Sequence, residues 1–165
     1  IIRDLICERA PFLALNVQTN SANLGYNLVT KYPKASYVCI DEPELRLATQ
    51  QKYTPVHDLI SEFSKQYSGA MITITRGHNG SITVTPDPKN YNYFEAAAVS
   101  SKIVDRVGAG DAYFALTSML AARKNPAPVI GFVGNAAGAM AVEVVCNRTS
   151  MQAVPLFKFV KALLA

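Results

Sequence analysis

Strand-length apolar runs at residues 12–16, 37–40 and 70–75 are separated by stretches of helical character, and this alternation constrains the fold more than any other feature. Strands that alternate with helices build an α/β layer structure on a largely parallel sheet, because parallel neighbours need a crossover between them. The pattern predicts a helix over 22–31, capped by Asn20 or Ser21. A second helix opens at Asp41, Glu42, Pro43 and Glu44, with acids and a proline in its first turn. A third starts at Pro55 and gathers Val56, Leu59, Ile60 and Phe63 on one face. Ahead of them, Ile1, Ile2, Leu5 and Ile6 form a helical stripe that Pro11 ends.

Past residue 75 the pattern changes. Gly77 to Gly80 reads as a turn and 82–85 as the returning strand of a hairpin. Residues 86–92 form a polar loop, and 93–104 read as extended and irregular. The stretch 108–123 is helical and apolar on most faces, with Ala112, Phe114, Ala115, Leu116, Met119 and Leu120, so it is expected inside the layered structure. Pro126 and Pro128 separate it from a second apolar helix over 129–146, and Pro155 begins a last amphipathic helix ending at Leu164.

The balance of 50% hydrophobic and 17% charged residues can bury a core, which excludes disorder, and 165 residues suit one domain. A net charge of +4 comes from scattered Lys and Arg with no basic stripe, so a nucleic-acid partner is not expected. A mild positive bias suits a small anion such as a nucleotide, or solubility alone. Cys7, Cys39 and Cys146 have no CxxC spacing and read as reduced thiols of a cytoplasmic protein, with Cys39 and Cys146 as small buried hydrophobes in apolar runs. The most apolar stretch, 129–146, is short for a membrane span and carries Asn135 and Glu143, so no membrane partner is expected. No signal peptide is visible, and the absence of an initial Met suggests a processed or excised piece.

Chemistry concentrates in Asp105-Arg106-Val107-Gly108-Ala109-Gly110-Asp111, a turn of small residues feeding a helix start. Free backbone N–H groups and the helix dipole make such a turn an anion site, and glycine lets a phosphate approach closely. Asp111 stands where that anion would bind. The pairing suits phosphoryl transfer, with Gly108, Ala109 and Gly110 holding phosphoryl oxygens while Asp111 takes the proton of an attacking hydroxyl. The plain alternative is a glycine-rich turn with Asp111 as an ordinary helix-start residue. A P-loop is excluded because no Lys-Ser or Lys-Thr follows the glycine. The dinucleotide fingerprint is excluded because Tyr113 occupies its third glycine position.

Asp105 to Asp111 resembles the D-T-x-G-A-G-D signature of the ribokinase-like (PfkB) carbohydrate kinases, with Arg106 in place of the usual Thr. Thr75-Arg76-Gly77-His78-Asn79-Gly80 resembles the T-x-G-x-x-G turn that borders the nucleotide in that family. Asp41-Glu42-Pro43-Glu44 resembles its N-x-x-E motif near the metal and phosphates, with Asp41 replacing Asn. Asn135 and 136–139 resemble the Ala-rich helix beside the adenine. These motifs run in the family's order through nearly the whole chain. The resemblance implies ATP and Mg²⁺ as cofactors, with Asp41 and Glu44 near the metal. It implies Thr75, Gly77, Gly80, Asp105 and Asn135 on the nucleotide side, a set that Asn16 joins because it ends a strand. The acceptor is then a sugar or sugar phosphate; 16–27 and 31–33 look closest to the heptose-phosphate kinases. Members are much longer than this chain, which resembles their C-terminal portion, so the stretch 1–165 alone is expected to lack most of the acceptor site and to be inactive. A vitamin-precursor or nucleoside kinase of the same superfamily, or a non-catalytic nucleotide-binding scaffold, is the alternative. A homodimer is left open.

Other polar residues receive plainer readings. His57 and His78 have no partner at metal-ligand spacing and read as surface residues. Glu143 reads as a structural partner for an arginine, and Tyr91 and Tyr93 as cover for the core edge. Asn16 and Gln18 end a strand, where α/β sheets bind ligands. Lys102 has no assigned role.

Overall fold

A computed structural model describes residues 2–85, 92–99, 105, 107–144 and 148–165. Tyr91, Lys102, Arg106 and Cys146 lie outside these residues. The elements run α1 (Ile2–Arg9), β1 (Ala14–Leu15), β2 (Tyr37–Asp41), α2 (Glu42–Thr49), α3 (Val56–Gln66) and β3 (Met71–Thr75). They continue with β4 (Ser81–Val84), β5 (Tyr93–Ala96), α4 (Ala109–Ala122), α5 (Ala127–Ala141) and α6 (Ala153–Leu163). The strands form one sheet in the order β1-β2-β3-β4-β5. β1 with β2 and β2 with β3 pair in parallel, with Tyr37 opposite Met71 and Asp41 opposite Thr75. The connection from β3 to β4 is too short for a parallel crossover, so β4 returns as the far arm of a hairpin. The α/β fold class read from the alternation is therefore present.

The chain divides into two compact units, Ile1–Thr75 with Thr83–Tyr93, and Arg76–Ile82 with Phe94–Ala165. In the first, β2 and β3 are buried on both faces, which is why they are short unbroken apolar runs rather than alternating ones. Val38, Ile40, Ile72 and Ile74 meet no solvent to speak of, and neither do Leu45 of α2 or Leu59 and Ile60 of α3. Each such side chain stabilises the fold by about 1.5–3 kcal/mol on burial. Within this core the Tyr67 hydroxyl bonds the Val29 and Tyr32 carbonyls, and the Thr73 and Thr83 hydroxyls lie 3.0 Å apart across β3 and β4.

Residues 22–31 are not the expected helix. The Asn20 side chain accepts from Ala22 and Asn23 N–H, while Asn23 accepts from Asn20 N–H and donates to the Gln18 carbonyl. These local bonds compete with helical ones, and the segment folds as turns followed by a single 3-10 turn at Val29–Lys31.

In the second unit α4 packs on α5. α5 begins two residues earlier than read from sequence and ends at Ala141. Its buried side is built from Gly131, Gly134, Ala136, Ala137, Ala139 and Asn135, so α4 can come close. α4 is not enclosed as its composition predicts. Only Tyr113, Thr117 and Ala121 are buried, one stripe spaced four residues apart, and Met119 is 58% exposed. Glu143 stands exposed beyond α5, and no ion pair joins it to an arginine among the described residues. Part of the stretch read as irregular, Tyr93–Ala96, is strand β5.

Candidate functional site

The candidate residues fall into two groups, one in each unit. In the first, Asn16 follows β1, Asp41 ends β2 and Thr75 ends β3. They stand at the carboxyl ends of neighbouring parallel strands, where ligands of open α/β sheets bind. Asn16 Nδ2 donates to the Cys39 carbonyl at 2.8 Å and so crosses from β1 to β2. Burial pushes the Cys39 thiol up to about 12, so it is a neutral hydrophobe rather than a nucleophile.

Asp41 and Glu44 form a capping box at the start of α2. Asp41 Oδ1 accepts from Glu44 N–H at 2.7 Å, and Glu44 Oε2 accepts from Asp41 N–H at 3.0 Å. Glu44 Oε1 takes a further bond from Thr19 N–H at 3.1 Å. Burial holds the Glu44 carboxyl above the ordinary carboxylate range against the bonds from Asp41 and Thr19, and the Asp41 charge pushes the same way. Asp41 is raised by burial too, with the Glu44 N–H opposing. Both Glu44 oxygens and one of Asp41 are thus engaged, leaving one Asp41 oxygen open. No cluster of three metal-ligating side chains exists among the described residues. The arrangement fits Mg²⁺ only through Asp41 and intervening water, a mode this ion commonly uses alongside substrate phosphates.

The second group is joined by a closed circuit of contacts. Gly77–Asn79 is a 3-10 turn completed by Gly80, whose backbone lies at φ 76° and ψ −133°. A Cβ there would overlap the Ala96 carbonyl oxygen and stand 2.9 Å from Ala97 C and Ala98 N, so only glycine fits. Asn135 of α5, 9% exposed, donates through Nδ2 to Ala96 O at 2.7 Å and Ala97 O at 2.8 Å. Its neighbour Gly134 seats the Tyr113 ring: a Cβ on Gly134 would come within 2.7 Å of three ring carbons. The Tyr113 hydroxyl donates to Ser81 Oγ at 2.9 Å, and Ser81 follows Gly80. Sequence reasoning missed Ser81 and Gly134 and noted Tyr113 only as a missing glycine; nothing in a lone sequence marks them as partners.

Gly108 opens α4 in the left-handed region, φ 84°, and no side chain caps the helix start. Gly110 has open space where a Cβ would be, and the Asp111 side chain is exposed in the first turn. Asp105 turns toward its own loop: Oδ1 accepts from Val107 N–H at 2.9 Å, while its N–H donates to the Val142 carbonyl at 2.9 Å. The first turn of α4 thus offers uncapped N–H groups beside an exposed carboxylate, a place for an anion next to a proton acceptor.

The remaining polar residues are plainer. His57 and His78 are exposed. The Tyr93 ring meets the His57 ring edge-on at 5.1 Å, so it covers that edge of α3. No helix among the described residues is long and apolar enough to cross a membrane.

Parallel strands with crossover helices make an α/β fold, and its likeness to solved structures makes it ribokinase-like. Solved structures of the same fold include phosphofructokinase-2 from Escherichia coli, 18% identical with a TM-score of 0.67 over 82% of this chain and 43% of its own. Ribokinase from Thermotoga maritima is 19% identical, with a TM-score of 0.63 over 79% and 42%. Adenosine kinase from Sinorhizobium meliloti is 16% identical, with a TM-score of 0.61 over 79% and 36%. The chain therefore spans less than half the length of these structures. Curated protein sequences give no match. Residues 16–153 match the pfkB family carbohydrate kinase, and the chain belongs to that family.

Proposed function

We propose that this chain is the C-terminal portion of an ATP-dependent kinase that phosphorylates a hydroxyl of a sugar or sugar phosphate, and that it supplies the nucleotide site and the catalytic base. The observation that carries this reading is the start of α4: a glycine turn without a side-chain cap, holding an exposed aspartate in its first turn. The N–H groups of Gly108, Ala109 and Gly110 orient the phosphoryl oxygens, and the Asp111 carboxylate accepts the proton of the attacking hydroxyl. ATP supplies the phosphoryl group, and Mg²⁺ balances its charge. Gly77, Gly80 and Asn135 border the nucleotide; Asn16 and Thr75, at the carboxyl ends of β1 and β3, are the candidates of the first unit for nucleotide contact. Asp105 orders the loop ahead of the turn, as its bond to Val107 supports. Asp41 would hold Mg²⁺ with its open carboxylate oxygen, and Glu44 holds Asp41 in place.

A nucleoside acceptor is the second reading, favoured by the adenosine kinase among the structures that share the fold. Nucleotide titration and turnover with sugar, sugar-phosphate and nucleoside acceptors, performed on the parent enzyme and its Asp111→Asn variant, test both. Nucleotide binding without turnover of any acceptor would replace a kinase by a binding scaffold.

A further inference from the structure

The two glycine turns of the second unit are tied to each other by one buried hydrogen bond. Tyr113 stands two residues past Asp111 and Ser81 one residue past Gly80, and the phenol-to-serine bond between them is 2.9 Å long. Both residues are almost fully buried, at 3% and 1% exposure, so this bond does not trade with water. The ring lies against the α5 backbone at Gly134, where no Cβ could stand between them. On its own helix, the Tyr113 carbonyl accepts the Thr117 hydroxyl at 2.8 Å, which fixes the turn that carries it. Beyond Ser81, the circuit continues through Gly80, Ala96 and Asn135 back to Gly134.

The geometry points to Tyr113 as a positioning residue: its bond to Ser81 sets the first turn of α4, and with it the Asp111 carboxylate, relative to the Gly77–Gly80 turn. This rests on the reading of Asp111 as catalytic base. Tyr113 touches no reacting atom in this scheme. It acts by holding in place the helix end that carries Asp111. Phosphoryl transfer depends on alignment to a fraction of an ångström, so a small reorientation of that turn lowers the rate without removing any catalytic group.

The test is a double-mutant cycle in the parent enzyme with Tyr113→Phe and Ser81→Ala. The first keeps the ring against Gly134, and the second removes only the acceptor. Each variant is measured for kcat per nucleotide-binding site by calorimetry, for KM and nucleotide Kd, and for Tm. Each single change should lower kcat about three- to tenfold, the worth of one lost hydrogen bond, with nucleotide affinity retained. The double variant should be no worse than either single one, because both remove the same bond. Unchanged kcat per binding site with a lowered Tm would make the bond purely structural and overturn the proposal. Additive losses in kcat would overturn it too, by showing that the residues do not act through each other. Asp111→Asn measured alongside separates this from the base assignment. Near-normal turnover there removes the base, whatever Tyr113→Phe does. Lost turnover there, with full kcat in Tyr113→Phe, removes only the positioning role.

Discussion

The α-carbon of Gly80 sits against the carbonyl oxygen of Ala96 so closely that no side chain can stand between them. Gly80→Ala would both force a side chain into a backbone conformation reserved for glycine and drive it into fixed backbone. These effects cost about 1–3 kcal/mol each. The expected result is a clear fall in the urea midpoint of unfolding, without change in its slope. A midpoint equal to that of the parent would show that the turn and the end of β5 separate readily.

Asn135 holds that same strand end. Asn135→Ala removes both bonds to Ala96 O and Ala97 O and leaves two carbonyls short of a donor, a loss of about 1–3 kcal/mol by thermal or urea unfolding. Asn135→Asp should be worse still, since a carboxylate would face two carbonyl oxygens. An aspartate variant as stable as the alanine one would mean that the pocket admits water or a proton.

Gly110 behaves in the opposite way to Gly80. It lies inside α4 with nothing near its missing Cβ. Gly110→Leu should therefore leave Tm unchanged or raise it, because leucine favours a helix by about 0.5–1 kcal/mol over glycine. Nucleotide binding should weaken by more than about tenfold, equal to about 1.4 kcal/mol. Equal affinity in calorimetry would move the phosphate away from this turn.

Asp111→Asn in the parent enzyme should reduce turnover by about 10²–10⁴-fold, the usual worth of a positioned base. Nucleotide affinity should hold or rise, since a negative charge near phosphate is gone. Asp105→Asn keeps an oxygen for Val107 N–H and should act more through nucleotide or metal affinity than through the chemical step. The reverse pattern, with Asp105→Asn abolishing turnover and Asp111→Asn sparing it, would exchange the two roles.

The capping box carries a pH dependence. Both carboxyls are raised in the folded chain, so their contribution to stability is full below the ordinary carboxylate pKa and is lost as pH rises through the raised values. Asp41→Asn keeps an oxygen for Glu44 N–H while removing one of the two charges. The variant should melt higher than the parent at neutral pH, and the two should converge as pH falls below about 4. A lower Tm at neutral pH would show that attraction to the helix dipole outweighs the cost of burying the Asp41 charge. Turnover of the variant should require more Mg²⁺ if the open Asp41 oxygen serves the metal.

Much of the fold was legible where burial alone decides structure. β2 and β3 are unbroken apolar runs because both faces are covered, and Pro43 and Pro55 mark where α2 and α3 begin. The turn at 20–31 was not legible, since the choice between helix and turn there rests on bonds between Asn20 and Asn23. The burial of α4 was misread because composition says how apolar a helix is, not which stripe its neighbour covers. At the candidate site the motifs name candidate residues, but not what supports them. The spacing of Asp41 and Glu44 was itself a capping-box signal that the reading of them as metal residues passed over. The link from Tyr113 to Ser81 joins positions far apart in the chain and leaves no local pattern.

The fit of the Tyr113 ring against Gly134 also bears on how relatives of this chain can vary. The space is shared, so volume gained at one position must be surrendered at the other. An alanine or serine at 134 calls for a smaller residue at 113, and a bare glycine at 134 leaves room for an aromatic. The two positions should therefore change together across homologous sequences, although they sit on different helices and neither is a motif residue.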